Sequence, residues 1–247
     1  MCKKINVLGV PAHSLTMSNT VNLIRNNLVN GLFTQHVVVN SAKLVHAQSD
    51  KQLLNSISNS DIINIDGMAV VWAARFLGYN VPERVAGVDL FDKLNAMAEK
   101  EGFPVFFLGA EEEVVRLTAL RIQEKYSSIQ VAGYHHGYFW DDEESLVRKI
   151  KSSGAKLLFV AITSPKKENF IDKWGSELGV DFVMGVGGTF DVIAGRVKRA
   201  PVWMQKSGLE WLYRIVQEPR RMWKRYATTN SKFIFLVMKE KISRLCF

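Results

Sequence analysis

Short apolar runs of strand length alternate with helical text along most of this 247-residue chain, and that alternation restricts its fold more than any other feature. Ile5–Val10, His36–Asn40, Ile62–Ile65, Val105–Leu108, Gln130–Gly133, Leu157–Ile162 and Phe182–Val186 read as strands. Helical spacing fills the intervals: Thr20–Leu28, a stretch through Leu44 and Leu53 to Ile57, Met68–Leu77, Gly87–Glu99, Glu112–Tyr126, Asp142–Ser152 and Lys167–Leu178. Strands rich in β-branched residues, with no hairpin signal between them, predict an α/β fold: a mostly parallel, Rossmann-like sheet with helices on both faces. After Gly208 the text is helical, with a break expected at Glu218-Pro219, because proline restricts the residue before it and starts helices well. An α/β core over residues 1–195 and a basic helical C-terminal appendage over 196–247 are therefore expected.

Charge separates the same two parts. The net charge is +8, yet from Arg196 onward there are 13 Lys and Arg against 3 Asp and Glu, so everything before is slightly acidic. A phosphorylated ligand, a lipid headgroup or a nucleic acid would suit that end. Met222, Trp223, Tyr226, Phe233, Ile234 and Val237 among these cations make a basic amphipathic helix or helix pair, able to dock on the core and on anionic lipid. FIFLVM at 233–238 falls far short of the roughly 20 apolar residues of a membrane span. Cys2 and Cys246, at opposite extremities and without metal-type spacing, fit a reducing cytoplasm.

Ligands of open parallel sheets gather beyond the carboxyl ends of the strands. That rule singles out Asn40, Asp66, Gly109, Thr163 to Pro165 and Gly187-Gly188. The stretch from Phe182 to Arg225 concentrates the case, because its strand breaks into Gly185, Gly187 and Gly188 and leads through Asp191 to arginines. Backbone that admits a ligand closely, followed by guanidinium groups, suits a substrate carrying phosphates. The glycines lack the third member of the dinucleotide fingerprint, and no P-loop Lys-Ser/Thr follows, so neither NAD nor an ATPase is indicated. No Asp-x-Asp occurs, and His135-His136 has no partner at zinc-ligand spacing, so no metal or other cofactor is expected.

Taken locally, Asp66 is either a helix cap or Asp-Gly turn, or a carboxylate placed to take a proton from a sugar hydroxyl. Arg84 in PERVAG defaults to a surface arginine, and Asp89 in GVDLF to a helix cap. Ser164, Pro165 and Glu168 resemble a helix start, whose N-terminus can face an anion.

Several segments read together: IDGMAVVWAARFLG, PERVAGVDLFDKL, VFFLGA, VAGYHHGYF, SPKKE, MGVGGTFDVIAGRVKRAP and GLEWLYRIVQEPRR followed by RY. In this order, over about residues 35–226, they resemble the WecG/TagA/CpsF family of bacterial glycosyltransferases. The resemblance implies an inverting, metal-independent enzyme. It would move an N-acetylmannosamine-type sugar from a UDP-sugar donor to a polyprenyl diphosphate-linked sugar, working peripherally at the inner face of the plasma membrane. Asp66 would be the catalytic base and Arg84 would serve the acceptor or diphosphate. Arg214, Arg221 and Arg225 would close over the UDP diphosphate. Further substrate contacts are expected from Asn40, Gly109, Tyr138, Ser164, Lys166, Lys167, Glu168, Gly187, Gly188 and Asp191. Two departures stand out: Lys167 replaces the family's usual glutamine, and valines precede Asn40 where a threonine is common. An extra cation beside the donor would suit a uronate.

Rival readings are a transferase of another UDP-hexose or UDP-uronate, such as glucose or glucuronate, and a noncatalytic membrane-docking subunit. Trp203, Trp211 and Trp223 among arginines would also give stacking surfaces for single-stranded nucleic acid. Charge confined to one end and the lack of nucleic-acid motifs argue against that partner. A homo-oligomer stays open.

Overall fold

The computed structural model describes residues 4–245, except the side chains at positions 221, 222, 224 and 225. The chain opens with β1 (Lys4–Val7) and β2 (Val10–His13) and continues through α1 (Met17–Val29), β3 (Thr34–Val39), α2 (Ser41–Ala47) and α3 (Lys51–Ser58). Next come β4 (Ile62–Ile65), α4 (Met68–Phe76), α5 (Gly87–Glu101), β5 (Val105–Gly109), α6 (Glu112–Lys125) and β6 (Val131–His135). Then follow α7 (Glu143–Ser152), β7 (Leu157–Ala161), α8 (Lys166–Trp174), β8 (Phe182–Gly185) and α9 (Thr189–Ile193). The chain finishes with α10 (Val202–Lys206), α11 (Glu210–Gln217) and α12 (Pro219–Leu245).

Strands β3 to β8 form one six-stranded sheet in the order β4-β3-β8-β7-β5-β6, parallel at every pairing. Their continuous apolar runs require cover on both faces. On one face, Ile24 of α1, Phe91 of α5, Val115 of α6 and Phe190 of α9 pack over Phe107, Phe159 and Phe182. Phe91 meets Phe159 edge-on at 4.7 Å between ring centroids, and each such buried ring contributes about 1.5–3 kcal/mol. On the other face, α2, α3, α4 and the β1–β2 hairpin cover Val37, Val39, Ile63 and Ile65. Further along that face, α7 and α8 cover Phe106, Leu108, Leu158 and Val160.

Two local expectations fail. The run read as a single strand from Ile5 to Val10 is an antiparallel hairpin, paired from Lys4↔His13 to Val7↔Val10. Leu8 and Gly9 turn it with φ of 54° and 79°, and Asn6 Oδ1 accepts from Gly9 N at 2.9 Å. The helical stretch from Leu44 to Ile57 is two helices, because the Asp50 side chain accepts from Leu53 N and starts α3 afresh. The break at Glu218 does occur, and α12 begins at Pro219.

Helix α12 lies on α2 and buries Phe233 and Val237 in the same cluster as the hairpin. Its last turns hold the start of the chain and the end of α4. Glu240 Oε2 accepts from Leu8 N at 2.9 Å, and Arg244 donates to Leu77 O at 3.1 Å and to Tyr79 OH at 2.7 Å. Among the described residues no helix is long and apolar enough to cross a membrane.

Within the sheet, His36 is fully buried and lies 2.8 Å from Asn64 Oδ1 through Nε2. Asn64 spends its amide on Thr20 Oγ1 at 3.2 Å, so its oxygen accepts and His36 carries its proton on Nε2. Burial pushes the His36 pKa down to about 4.

Candidate active site

A cavity of about 220 Å3 opens where the carboxyl ends of β3 and β4 meet α11 and α12. Because β3 and β4 are neighbours, the residues that follow them, Asn40 and Asp66, come to its wall together. Asn40 caps α2, its Oδ1 accepting from Lys43 N at 3.0 Å. After Asp66, Gly67 takes φ +107° and turns the chain directly into α4. Gly67, not Asp66, occupies the cap position of α4, which has no side-chain cap.

The Asp66 carboxylate is thereby kept for other partners. Its Oδ1 accepts from Arg84 Nε at 3.0 Å and its Oδ2 from Gly87 N at 3.3 Å, at the start of α5. It remains 23% exposed. Arg84 continues the chain of charges, donating from Nη2 to Glu210 Oε2 at 2.8 Å. Burial opposes the charge on Arg84, but Asp66 and Glu210 outweigh it and hold the guanidinium pKa above its ordinary value.

Asp89 does not cap α5, whose N-terminus has no side-chain cap. It takes both terminal nitrogens of Arg199, with Nη2 to Oδ2 at 2.8 Å. Those hydrogen bonds hold the Asp89 pKa below the usual carboxylate range. Arg199 Nε also stands 3.9 Å from Glu210 Oε1. Asp66, Arg84, Glu210, Arg199 and Asp89 thus form one chain of alternating charges. It ties the ends of the sheet to the helices that follow it.

The same cavity is walled by Trp72 of α4, Gly208, Trp211 and Arg214 around α11, and Tyr226, Thr229 and Asn230 of α12. Of the residues singled out in the sequence, Asn40, Asp66, Arg84 and Arg214 come together here. The side chains of Arg221 and Arg225 lie outside the described residues.

The remaining candidates lie along the same edge of the sheet but do not line this cavity. Gly109 is the last residue of β5, and a Cβ there would stand 2.4 Å from Ala161 O. Tyr138, after β6, is 67% exposed. Ser164 does not cap α8, whose cap position is Pro165 and which has no side-chain cap. Lys166 lies over the Trp140 ring at 4.8 Å. Gly187 and Gly188 follow β8, the strand beside β3, and Gly187 takes φ +54° with open space where a Cβ would point. Asp191 follows on α9, its backbone oxygen accepting from Arg196 N and Val197 N.

Lys167 and Glu168 are buried. Glu168 Oε1 pairs with Lys43 Nζ at 2.8 Å and Lys167 Nζ at 2.9 Å. Burial alone would raise the Glu168 pKa, but the two ammonium groups bring it down to about 2. The Lys167 stem runs beneath Gly185, where a Cβ would stand 2.8 Å from Lys167 Cε. His135 and His136 form a ring pair 4.4 Å apart. Among the described residues no three His, Cys, Asp or Glu come together as a metal site.

Sequence reasoning missed Glu210, Trp72 and Thr229 as cavity residues. Glu210 carried a signal, as one of few acids in a strongly basic segment. The arrangement presents a partly exposed carboxylate as a proton acceptor, with guanidinium groups nearby to offset anionic charge.

Residues 5–246 match the Glycosyl transferase WecG/TagA/CpsF family. One relative is the N-acetylglucosaminyldiphosphoundecaprenol N-acetyl-beta-D-mannosaminyltransferase of Bacillus subtilis (strain 168), 34% identical over 201 residues that cover 81% of this chain and 77% of that protein. The parallel sheet, the carboxylate at its edge and a match along nearly the whole length lead to one assignment: the chain belongs to the WecG/TagA/CpsF family of glycosyltransferases.

Proposed function

We propose that this glycosyltransferase moves an N-acetylmannosamine-type sugar from its UDP donor to a sugar carried on a polyprenyl diphosphate, with inversion and without a resident metal. The observation that carries the reading is Asp66, a partly exposed carboxylate at a strand end, facing a cavity that Arg84 and Arg214 share. The Bacillus relative supports it, since its name specifies a diphosphoundecaprenol-linked N-acetylglucosamine acceptor and an N-acetylmannosaminyl group.

In this mechanism the acceptor hydroxyl gives its proton to Asp66 as its oxygen attacks the anomeric carbon. The bond to UDP breaks in the same step. Arg214, Arg221, Arg225 and the amides around Gly187-Gly188 offset the charge that grows on the departing diphosphate. Residues 196–247 act as an appendage that closes the site and docks on the anionic inner face of the plasma membrane. Exposed Trp223, Phe235 and Ile242 favour such docking. Lys167 is 6% exposed and sits on Glu168, which favours a neutral donor sugar over a uronate.

The test is a donor panel of UDP-N-acetylmannosamine, its uronate, UDP-glucose and UDP-glucuronate, each offered with an N-acetylglucosaminyl diphosphate lipid. Transfer from UDP-N-acetylmannosamine is expected. Transfer from the glucose or glucuronate donor alone would overturn the reading.

A further inference from the structure

Trp72 lies on the wall of the Asp66 cavity and is still 51% exposed. It is also seated. Gly208, at φ +72°, presses against the indole so closely that a Cβ would stand 2.8 Å from Trp72 Cη2. One turn further along the same face of α4, Phe76 is 48% exposed. Lys241 of α12 holds its ammonium 5.2 Å from the Phe76 ring centroid. Lys241 shares a stripe of α12 with Ile234 and Met238, at spacings of four and three residues, and these are 62% and 47% exposed. A path of large apolar side chains therefore starts inside the catalytic cavity and leaves it along α4 and the facing side of α12.

Two large aromatic groups left half bare beside a polar cavity cost hydrophobic stabilisation unless something covers them. A ligand that matches this layout has a polar head at the carboxylate and a long hydrocarbon stem leading away. We propose that the apolar face marked by Trp72 and Phe76 binds the first isoprene units of the lipid-linked acceptor. Trp72 contacts the units nearest the diphosphate, Phe76 takes the next, and the Lys241–Ile234–Met238 stripe carries the stem outward. The inference rests on the acceptor reading given under Proposed function. It adds where the stem runs and predicts that the enzyme senses the length of the hydrocarbon chain.

The test uses the full chain and two acceptors with the same N-acetylglucosaminyl diphosphate head, one on an undecaprenyl chain in detergent and one on a two-isoprene chain. Phe76→Ser and Trp72→Ala are compared with the wild type. Co-sedimentation with acceptor-free vesicles of phosphatidylglycerol and phosphatidylcholine runs in parallel. For Phe76→Ser, the ratio of KM for the long-chain acceptor to KM for the short-chain one should rise about tenfold, as expected for losing the cover of one aromatic ring. Vesicle binding should stay at the wild-type level. Trp72→Ala should raise KM for both acceptors, because its partner is the portion they share.

An unchanged KM ratio in Phe76→Ser would overturn the proposal. So would a rise matched by an equal loss of vesicle binding, which would make the face a bilayer contact. Failure of the wild type to glycosylate either acceptor would instead sink the acceptor reading itself, and shows before any variant is compared.

Discussion

Arg84 and Glu210 meet at 2.8 Å although 126 positions separate them in the chain. The contact makes the orientation of Arg84 beside Asp66 depend on a residue from the helices after the sheet. Glu210→Gln is expected to lower kcat/KM about tenfold, the usual contribution of a charge-assisted hydrogen bond. In an Arg84→Gln background the same change should have little further effect, since both act through one guanidinium. Additive losses across that double-mutant cycle would place the role of Glu210 elsewhere.

Asp66→Asn keeps the shape and the acceptor oxygen but removes the carboxylate proposed as the base. Turnover should fall by about 10²–10⁴-fold, the range for general-base catalysis, while UDP affinity measured by calorimetry stays near the wild-type value. A variant with near-normal turnover would take Asp66 out of the reaction.

Asp89 and Arg199 form a bidentate pair between α5 and the segment before α10. Asp89→Asn should cost about 1–3 kcal/mol. It should also speed limited proteolysis between residues 196 and 209, with the sheet region left intact. An unchanged digestion pattern would show that the pair does not hold the segment down.

Glu168 is the shared counter-ion of two buried ammonium groups. Glu168→Gln removes the carboxylate that both share and should destabilise by about 3–5 kcal/mol in chemical denaturation. Lys167→Gln should be far milder, because Lys43 still pairs with the carboxylate. Equal losses for the two changes would contradict this account.

Acid should weaken the fold in two overlapping windows. His36 titrates at about 4 when folded, below the ordinary 6.5, so between these values the unfolded chain binds the extra proton. Stability therefore falls as pH drops from about 6.5 to 4, by on the order of 3 kcal/mol at the lower end. The folded pKa of Glu168 is depressed to about 2 from 4.5, so its contribution is present above 4.5 and is lost as pH falls toward 2. Melting curves of His36→Gln should show a flatter dependence than the wild type between pH 6.5 and 4.5.

What could be read in advance follows from how local each cause is. The parallel sheet was legible because Val37, Phe107 and Phe159 stand in apolar runs that only a doubly covered strand tolerates. Asp66 was legible as a candidate because a buried strand that ends in Asp-Gly leaves a carboxylate at the sheet edge. The hairpin was not, since Leu8 and Val10 continue the apolar run through a turn set by Leu8 and Gly9. Asp89 reads as a cap because its actual partner, Arg199, is 110 residues away. Trp72, Glu210 and Thr229 on the cavity wall were hidden for the same reason: nothing near Thr229 in sequence says that α12 lies on α2.

The bond from Leu8 N to Glu240 Oε2 joins groups 232 positions apart. During synthesis the ribosome releases the first strand long before the helix that clasps it. Tyr226, Thr229 and Asn230, which wall the cavity beside Asp66, emerge just ahead of that clasp. A growing chain therefore carries Asp66 and the sheet while one wall of the cavity is still missing, and the hollow closes around that carboxylate only after α12 has been made.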